Sequence, residues 1–199
     1  GENGAGKTTL VNIIFGLYTA DSGEILWKGK PADFASPKEA IEAGIGMVQQ
    51  HFSLVNKMTV LDNIILNLKG NSFFLDRAAA RKKLTDLAEK YGLHVNPDAL
   101  ISDLSVGEQQ RVEILKALYR NVELLILDEP TAGLDPKERV RLRTLLAEMA
   151  TDRIILVATH VVSDVETVAT EVILLCAGKI VDAAPVPDLI DKYAPGQGL

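Results

Sequence analysis

Short apolar runs alternate with longer amphipathic segments along the chain. The continuous apolar runs at 124–127 and 154–157 are typical of strands covered on both faces, as in a parallel sheet. Strands are predicted at 24–27, 45–48, 124–127, 153–158 and 171–176. Helices are predicted at 7–17, 37–43, 60–68, 77–91, 107–119 and 136–149. This alternation predicts an α/β fold built on a parallel sheet.

The chain changes character between Gln50 and Arg120, where nearly every segment has a helical pattern. We therefore predict an α/β core formed by residues 1–49 and 121–199, with residues 50–120 inserted as a helical subdomain. No stretch reaches the ~18 apolar residues that a membrane-spanning helix needs. Cys176 lies in an apolar strand and is predicted to be a small core residue.

Composition narrows the classes of partner. The 199 residues include 21 Lys and Arg against 27 Asp and Glu, which gives a net charge of −6 without a basic block. We therefore expect no nucleic-acid partner. A phosphate ligand remains compatible with this charge because backbone amides and a single lysine bind phosphate locally. One cysteine excludes an internal disulfide framework.

Residues 1–8 read GENGAGKT and match the phosphate-binding loop pattern G-x-x-x-x-G-K-[ST] at every specified position. Its glycines let successive N–H groups point inward, and the helix beginning near Lys7 adds its positive end. Lys7 is placed to reach the β- and γ-phosphates, and the Thr8 hydroxyl to bind Mg²⁺. The residues predicted to bind ATP phosphates are Gly1, Asn3, Gly4, Ala5, Gly6, Lys7, Thr8 and Thr9. Such a loop follows a strand, so we expect the domain to be N-terminally truncated in this sequence.

A second half of the site is predicted at the end of the apolar strand at 124–127. Asp128 and Glu129 follow this strand directly, at the edge where open α/β sheets bind ligands. Asp128 is suited to hold Mg²⁺, and Glu129 to polarise a water for attack on the γ-phosphate. Two acids at a strand end are by themselves more often surface residues, and the phosphate-binding loop favours the catalytic interpretation.

Residues 104–111, LSVGEQQR, resemble the signature motif of the ATP-binding cassette (ABC) ATPases, usually Leu-Ser-Gly-Gly-Gln. Val106 and Glu108 depart from that pattern. The resemblance implies that Ser105, Gly107 and Glu108 bind the ATP of a partner cassette. The same segment also predicts a capping box, in which Ser105 and Glu108 open a helix. The two interpretations are compatible, because a capped helix N-terminus binds phosphate.

The resemblance extends from Gly1 to about Asp182 and includes three further motifs. Gln50 matches the Q-loop glutamine, which implies contact with Mg²⁺ and the attacking water. Asp135 matches the D-loop, which crosses the interface between two cassettes, and it also predicts the cap of the helix at Pro136. His160 matches the switch histidine, which implies a catalytic role beside Glu129.

Membership of this family implies a P-loop NTPase (RecA-like) core with a helical insert, and hydrolysis of ATP with Mg²⁺. The implied partners are a second cassette, as a homodimer or a tandem fusion, and transmembrane permease subunits. A solute-binding protein joins them if the transporter is an importer. The implied location is the cytoplasmic face of the membrane, peripheral through the permease. Two alternatives stay open: a soluble ABC ATPase of DNA repair or translation, and a fragment without activity.

The chain resembles different ABC subgroups in its two parts. Residues 12–18, 44–56 and 104–120 resemble the cassettes of simple-sugar and nucleoside importers. Residues 131–136 and 159–166 resemble the cassettes of peptide-antibiotic or multidrug exporters. The residues alone therefore leave the transported substrate and the direction of transport open.

Overall fold

The computed structural model describes residues 4–66 and 76–193. The predicted phosphate-binding residues Gly1 and Asn3 lie outside these ranges, as do positions 67 and 68 of one predicted helix. The helices and strands in chain order are α1 Lys7–Ile14, β1 Ile25–Trp27, β2 Lys30–Ala32, α2 Pro37–Glu42, β3 Ile45–Val48, α3 Val60–Ile65, α4 Arg77–Lys90, α5 Val106–Tyr119, β4 Leu124–Asp128, α6 Pro136–Met149, β5 Ile154–Ala158, β6 Glu171–Cys176, β7 Lys179–Pro185 and α7 Val186–Tyr193.

The central sheet is parallel and has the strand order β3-β4-β5. Met47 lies opposite Ile126, which lies opposite Leu156 on the other side. All five residues of β4 are buried, as expected for a central strand covered on both faces. The carboxyl ends of the three strands therefore meet at one edge, and the predicted parallel sheet is confirmed.

Helices cover both faces of this sheet. Leu125 and Leu127 face a core that also contains residues of α3, α4, α5 and α6. Leu124 and Ile126 face a second core, made with α1 and α2. Each fully buried leucine or isoleucine contributes about 1.5–3 kcal/mol through the hydrophobic effect. This alternation fixes the register of β4 and so the direction in which its terminal carboxylates emerge.

The first predicted helix is three residues shorter than expected. α1 ends at Ile14 because Gly16 adopts φ 74° and turns the chain away from the helix axis. A Cβ atom at Gly16 would lie 2.7 Å from the Phe34 carbonyl oxygen, so glycine also permits a close backbone approach there. The apolar residues 15–17 continue the helical pattern, which explains why the sequence predicted a longer helix.

The C-terminal part corrects one prediction and adds two elements. Cys176 is exposed and is not a core residue, because it ends β6 in a two-stranded sheet beside the turn to β7. The antiparallel β7 and the helix α7 were not predicted. Of the helices within residues 4–66 and 76–193, none is both long and apolar enough to cross a membrane.

Candidate functional site

The phosphate-binding loop turns sharply before α1. Gly4 and Gly6 have φ values of 83° and 97°, a region that glycine adopts without strain. No side chain caps α1. The first-turn N–H groups of a helix lack intrahelical partners and form an anion site. The Gly178 N–H donates to the Ala5 carbonyl oxygen at 2.9 Å, so the β6–β7 turn supports the loop from outside.

The loop forms one wall of a cleft of about 400 Å³. Gln50 reaches this cleft after β3, Glu129 after β4 and His160 after β5. The lining residues are Gly4, Ala5, Gly6, Lys7, Thr8, Thr9, Gln50, Glu129, Ala132 and His160. The fold thus brings together every predicted phosphate-binding residue within the described ranges and all three predicted catalytic residues. Ala132 is the one lining residue that the sequence did not indicate.

Thr8 and Asp128 form the predicted Mg²⁺ pair at the base of the loop. The Thr8 hydroxyl donates to Asp128 Oδ1 at 3.2 Å. Burial raises the pKa of Asp128 and the charge of Glu129 adds to the rise, while the Thr8 hydrogen bond and Lys7 oppose it. A bound cation would reverse this shift by favouring the carboxylate.

The donors at this point suit Mg²⁺. A hydroxyl and a carboxylate are hard oxygen ligands, and Mg²⁺ in nucleotide sites takes one or two such ligands together with phosphates and waters. Among residues 4–66 and 76–193, no group of three or more His, Cys, Asp or Glu is placed to hold a metal alone. The Thr8–Asp128 pair thus fits Mg²⁺ as part of a coordination shell that phosphates and waters complete.

Glu129 is fixed from several sides. Both of its carboxylate oxygens lie 2.9 Å from His160 Nδ1, and the Thr159 hydroxyl donates to Oε2 at 3.3 Å. Lys7 Nζ lies 3.9 Å from Oε1. The Glu129 backbone has φ 48° and donates its N–H to the Ala158 carbonyl oxygen at 2.8 Å. A side chain with a Cβ atom rarely adopts this left-handed conformation, so the contacts around Glu129 hold it there.

The cleft distinguishes between the two adjacent glutamines. Gln50 lines it and is exposed to solvent. Gln49 is not among the lining residues, and its side-chain oxygen accepts a hydrogen bond from the Ser53 hydroxyl at 3.1 Å. Of the two, Gln50 is therefore the one placed to contact a phosphate or a water.

The signature segment opens α5 as the predicted capping box. The Ser105 N–H and hydroxyl donate to the Glu108 carboxylate at 2.9 and 2.8 Å, and the Glu108 N–H donates to the Ser105 hydroxyl at 3.3 Å. These bonds, chiefly that from the Ser105 N–H, lower the pKa of Glu108. Ser105, Gly107 and Glu108 are not among the residues that line the cleft. The capping box is confirmed, and its phosphate-binding role stays a prediction.

Asp135 caps α6, as predicted, because its carboxylate accepts the Glu138 N–H at 2.9 Å. The Glu138 carboxylate in turn pairs with Arg111 of α5 at 2.7 Å. A Cβ atom at Gly107 would lie 3.1 Å from Glu138 Oε2, so glycine permits this close approach of the two helix starts. The role of Asp135 between two cassettes stays a prediction.

One buried hydrogen bond beside the cleft, between Thr131 and Asp164, was not predicted from the sequence. The Thr131 hydroxyl donates to the Asp164 carboxylate, and both residues are buried. Thr131 follows Glu129 by two positions and Asp164 follows His160 by four. The bond therefore joins the same two loops as the Glu129–His160 contact. Nothing in the sequence pairs these residues, because they lie 33 positions apart in loops without a periodic pattern.

Comparisons with known proteins show which sequences and folds this chain resembles. A family model described as ABC transporter matches residues 1–132. The nucleoside import ATP-binding protein NupA of Lactococcus lactis is 47% identical over 94% of this chain and 38% of its own length. The guanosine import ATP-binding protein NupO of Bacillus subtilis is 48% identical over 75% of this chain and 29% of its own length. The chain thus spans about two fifths or less of these curated relatives.

A solved structure extends the comparison to the fold. It is a dimeric ATP-binding cassette in a post-hydrolysis state with bound ADP and Pi. This chain matches it with a TM-score of 0.79 and 26% sequence identity, over 93% of this chain and 82% of that chain. The predicted fold class, an α/β P-loop NTPase core with helices, is therefore confirmed.

Proposed function

Because the chain belongs to the ABC transporter family, we propose that it is the ATP-binding and ATP-hydrolysing part of a transporter. The observation that carries the proposal is the convergence of Lys7, Gln50, Glu129 and His160 on one cleft beside the phosphate-binding loop. These residues come from four separate segments of the chain. Phosphoryl transfer needs little more from a protein than this combination of positioning and charge.

In the proposed complex, the phosphates of ATP bind the backbone amides of residues 1–9, including Gly1 and Asn3, and the Lys7 ammonium group. Thr8 and Asp128 hold Mg²⁺, with Gln50 as a third contact. When bound, Mg²⁺ neutralises charge on the phosphate oxygens. The pair at 3.2 Å and its position under the loop support this assignment.

Glu129 is the proposed general base. It accepts a proton from a water whose oxygen attacks the γ-phosphorus, while the bond from that phosphorus to the bridging oxygen breaks and ADP leaves. His160 and Thr159 hold the Glu129 carboxylate through the contacts at 2.9 and 3.3 Å. A base must keep its orientation before the substrate arrives, and these contacts supply it.

We further propose that the second phosphate-binding element, at Ser105, Gly107 and Glu108, serves the ATP of a second cassette. These residues open α5 outside the cleft that holds the other groups. Asp135, at the start of α6, would then lie at the boundary between the two cassettes. ATP binding would favour the closed pair, and hydrolysis would release it.

The proposed transporter is a nucleoside importer. Two relatives at 47% and 48% identity are named as nucleoside and guanosine import proteins. The NupA match covers 94% of the chain and so extends past Pro130, where the exporter resemblance begins.

The helical signature subdomain, residues 50–120, would contact the permease. The cassette would then lie on the cytoplasmic face of the membrane. A solute-binding protein would deliver the nucleoside.

Phosphate release from MgATP by the purified protein tests the proposed hydrolysis. Lys7→Ala is the matched variant, and we expect it to abolish turnover because the loop then lacks its one lysine. Equal turnover by both proteins would overturn the proposed site.

Uptake of labelled guanosine and of labelled ribose by cells with and without the gene tests the substrate class. Loss of ribose uptake alone would overturn the nucleoside assignment.

A further inference from the structure

A buried carboxylate outside the cleft has no part in the proposed chemistry. Glu113 lies on α5, two helical turns after Ser105, and is only 5% exposed. Its Oε1 atom accepts the Ser53 backbone N–H at 2.6 Å. A buried carboxylate is unfavourable unless hydrogen bonds and an opposite charge satisfy it, so this contact needs a specific partner set.

Lys116 completes that set, one turn further along α5. Its ammonium group lies 3.3 Å from Glu113 Oε2 and donates to the Ser53 carbonyl oxygen at 3.2 Å. The N–H and the carbonyl of Ser53 are thus both bound by side chains of α5. These bonds hold the main chain of Ser53 against α5, whichever side chain stands at position 53.

The Ser53 side chain connects this segment to the end of β3. Its hydroxyl donates to Gln49 Oε1 at 3.1 Å, so the two residues that flank positions 50–52 are joined. Gln50 lies inside this closed loop and is the member that lines the phosphate cleft. A displacement of α5 relative to the sheet would therefore be passed through Ser53 to Gln50.

We propose that Glu113 is a positioning residue that couples the place of Gln50 in the phosphate cleft to the place of α5. The inference rests on the proposed ATPase function and adds a link between its two phosphate-binding elements. Ser105 opens α5 at one end, and Glu113 connects the same helix to the Gln50 loop. The two elements then move together and not independently.

Amide hydrogen exchange tests the contact itself. Glu113→Ala leaves the Ser53 N–H without its acceptor, so we expect exchange of this amide to accelerate at least about tenfold, while the Val55 N–H, which donates to Asn63, should change less. Glu113→Gln keeps a side-chain oxygen acceptor and should restore most of the protection. Asp152→Asn is the control. It also removes the charge of a carboxylate, but the ion pairs of Asp152 are with Lys90 and Arg153 and not with the Ser53 segment. Unchanged exchange in Glu113→Ala would overturn the inference.

Kinetics separate positioning from a general structural role. We expect Glu113→Ala to lower kcat roughly 10- to 100-fold with KM for ATP changed less than about twofold, because the phosphate loop is untouched. Glu113→Gln should recover most of kcat, and Asp152→Asn should retain it. The double variant Gln50→Ala/Glu113→Ala should be about as slow as Gln50→Ala alone.

The outcomes of the two proposals differ. Independent, multiplicative losses in the double variant would overturn the coupling while leaving ATP hydrolysis intact. Equal kcat in the Ala and Gln variants would also overturn it, because the hydrogen bond to Ser53 would then be irrelevant. Absence of phosphate release by the unaltered protein would instead overturn the proposed function on which the coupling rests.

Discussion

At the scale of single residues, Glu129 shows what sequence can and cannot reveal. An acid directly after an apolar strand, in a chain with a phosphate-binding loop, predicts its place at the sheet edge. The two 2.9 Å contacts with His160 involve a residue 31 positions away, and no local sequence pattern indicates the left-handed backbone at φ 48°. The sequence therefore identified the carboxylate, and the structure supplied the groups that orient it.

Glu129→Gln should lower the turnover of ATP at least ~100-fold, because the amide cannot accept the proton of the attacking water. The side chain keeps its size, so thermal unfolding should shift by no more than a few degrees. Phosphate release and a melting curve on the same preparation provide the measurement. Turnover at the unaltered rate would remove Glu129 from the role of base.

At the scale of elements, the strands with apolar runs were predictable, including β6 at Glu171–Cys176, and β7 was not. β3, β4 and β5 carry continuous apolar runs because helices cover both faces of their sheet. Within the part of the chain that the structure describes, β7 pairs with β6 alone and is exposed along most of its length. Lys179–Pro185 therefore lacks such a run, and it ends in a proline. Tertiary pairing with β6, and not local pattern, makes this segment a strand.

The end of α4 is joined to the segment after α6 by a polar network around Asp152. The Asp152 carboxylate accepts from Arg153 at 2.8 Å, from the Tyr91 hydroxyl at 3.0 Å and from Lys90 at 3.4 Å. These bonds, chiefly that from Arg153, lower the pKa of Asp152 to about 2, against a partial rise from burial. The negative charge of this carboxylate therefore contributes to the stability of the folded state.

Asp152→Asn should lower the free energy of unfolding by about 1 kcal/mol at pH 7. The full pKa difference corresponds to about 2 kcal/mol, and solvent screening reduces it because the Asp152 side chain is 42% exposed. Because the pKa of Asp152 is lower in the folded protein, its charge stabilises the folded state fully at pH values above the ordinary pKa near 4. This contribution to the free energy of unfolding is lost as the pH falls from about 4 towards 2. Urea unfolding of both proteins at pH 7 and at pH 3 checks this. A difference that stays constant with pH would contradict the assignment.

At the scale of the whole molecule, the phosphate-binding loop and the signature segment were predicted separately, and of the two the structure places the loop at the cleft. The loop before α1 lines the cleft with Glu129 and His160, while Ser105 opens α5 elsewhere. The resemblance had already implied this separation, because it assigns Ser105 to the ATP of a partner cassette. Assembly of a complete site from two cassettes stays a proposal, and the place of Ser105 outside the cleft supports it.

Ser105→Ala and Asp76→Ala together separate helix capping from phosphate binding. Both residues are N-caps of 14-residue helices, so each variant should lose about 1 kcal/mol of stability. Only Ser105→Ala should also lower ATP turnover, by at least about tenfold. Urea unfolding and phosphate release on both variants provide the measurement. Equal turnover in the two variants would leave Ser105 as a structural cap alone.

Lys7 Nζ lies 3.9 Å from Glu129 Oε1, so the ammonium group exchanges one anionic partner for another when a nucleotide phosphate binds. A phosphate that approaches the lysine competes with a carboxylate that the protein itself holds in place. The measured affinity is then the difference between two pairings of one ammonium group, and it understates how strongly the loop attracts phosphate. Glu129→Gln replaces the competing carboxylate by an uncharged amide, so binding of ATP no longer has to displace an ion pair with Lys7. The protein that loses the base would therefore bind ATP more tightly, even before hydrolysis is considered.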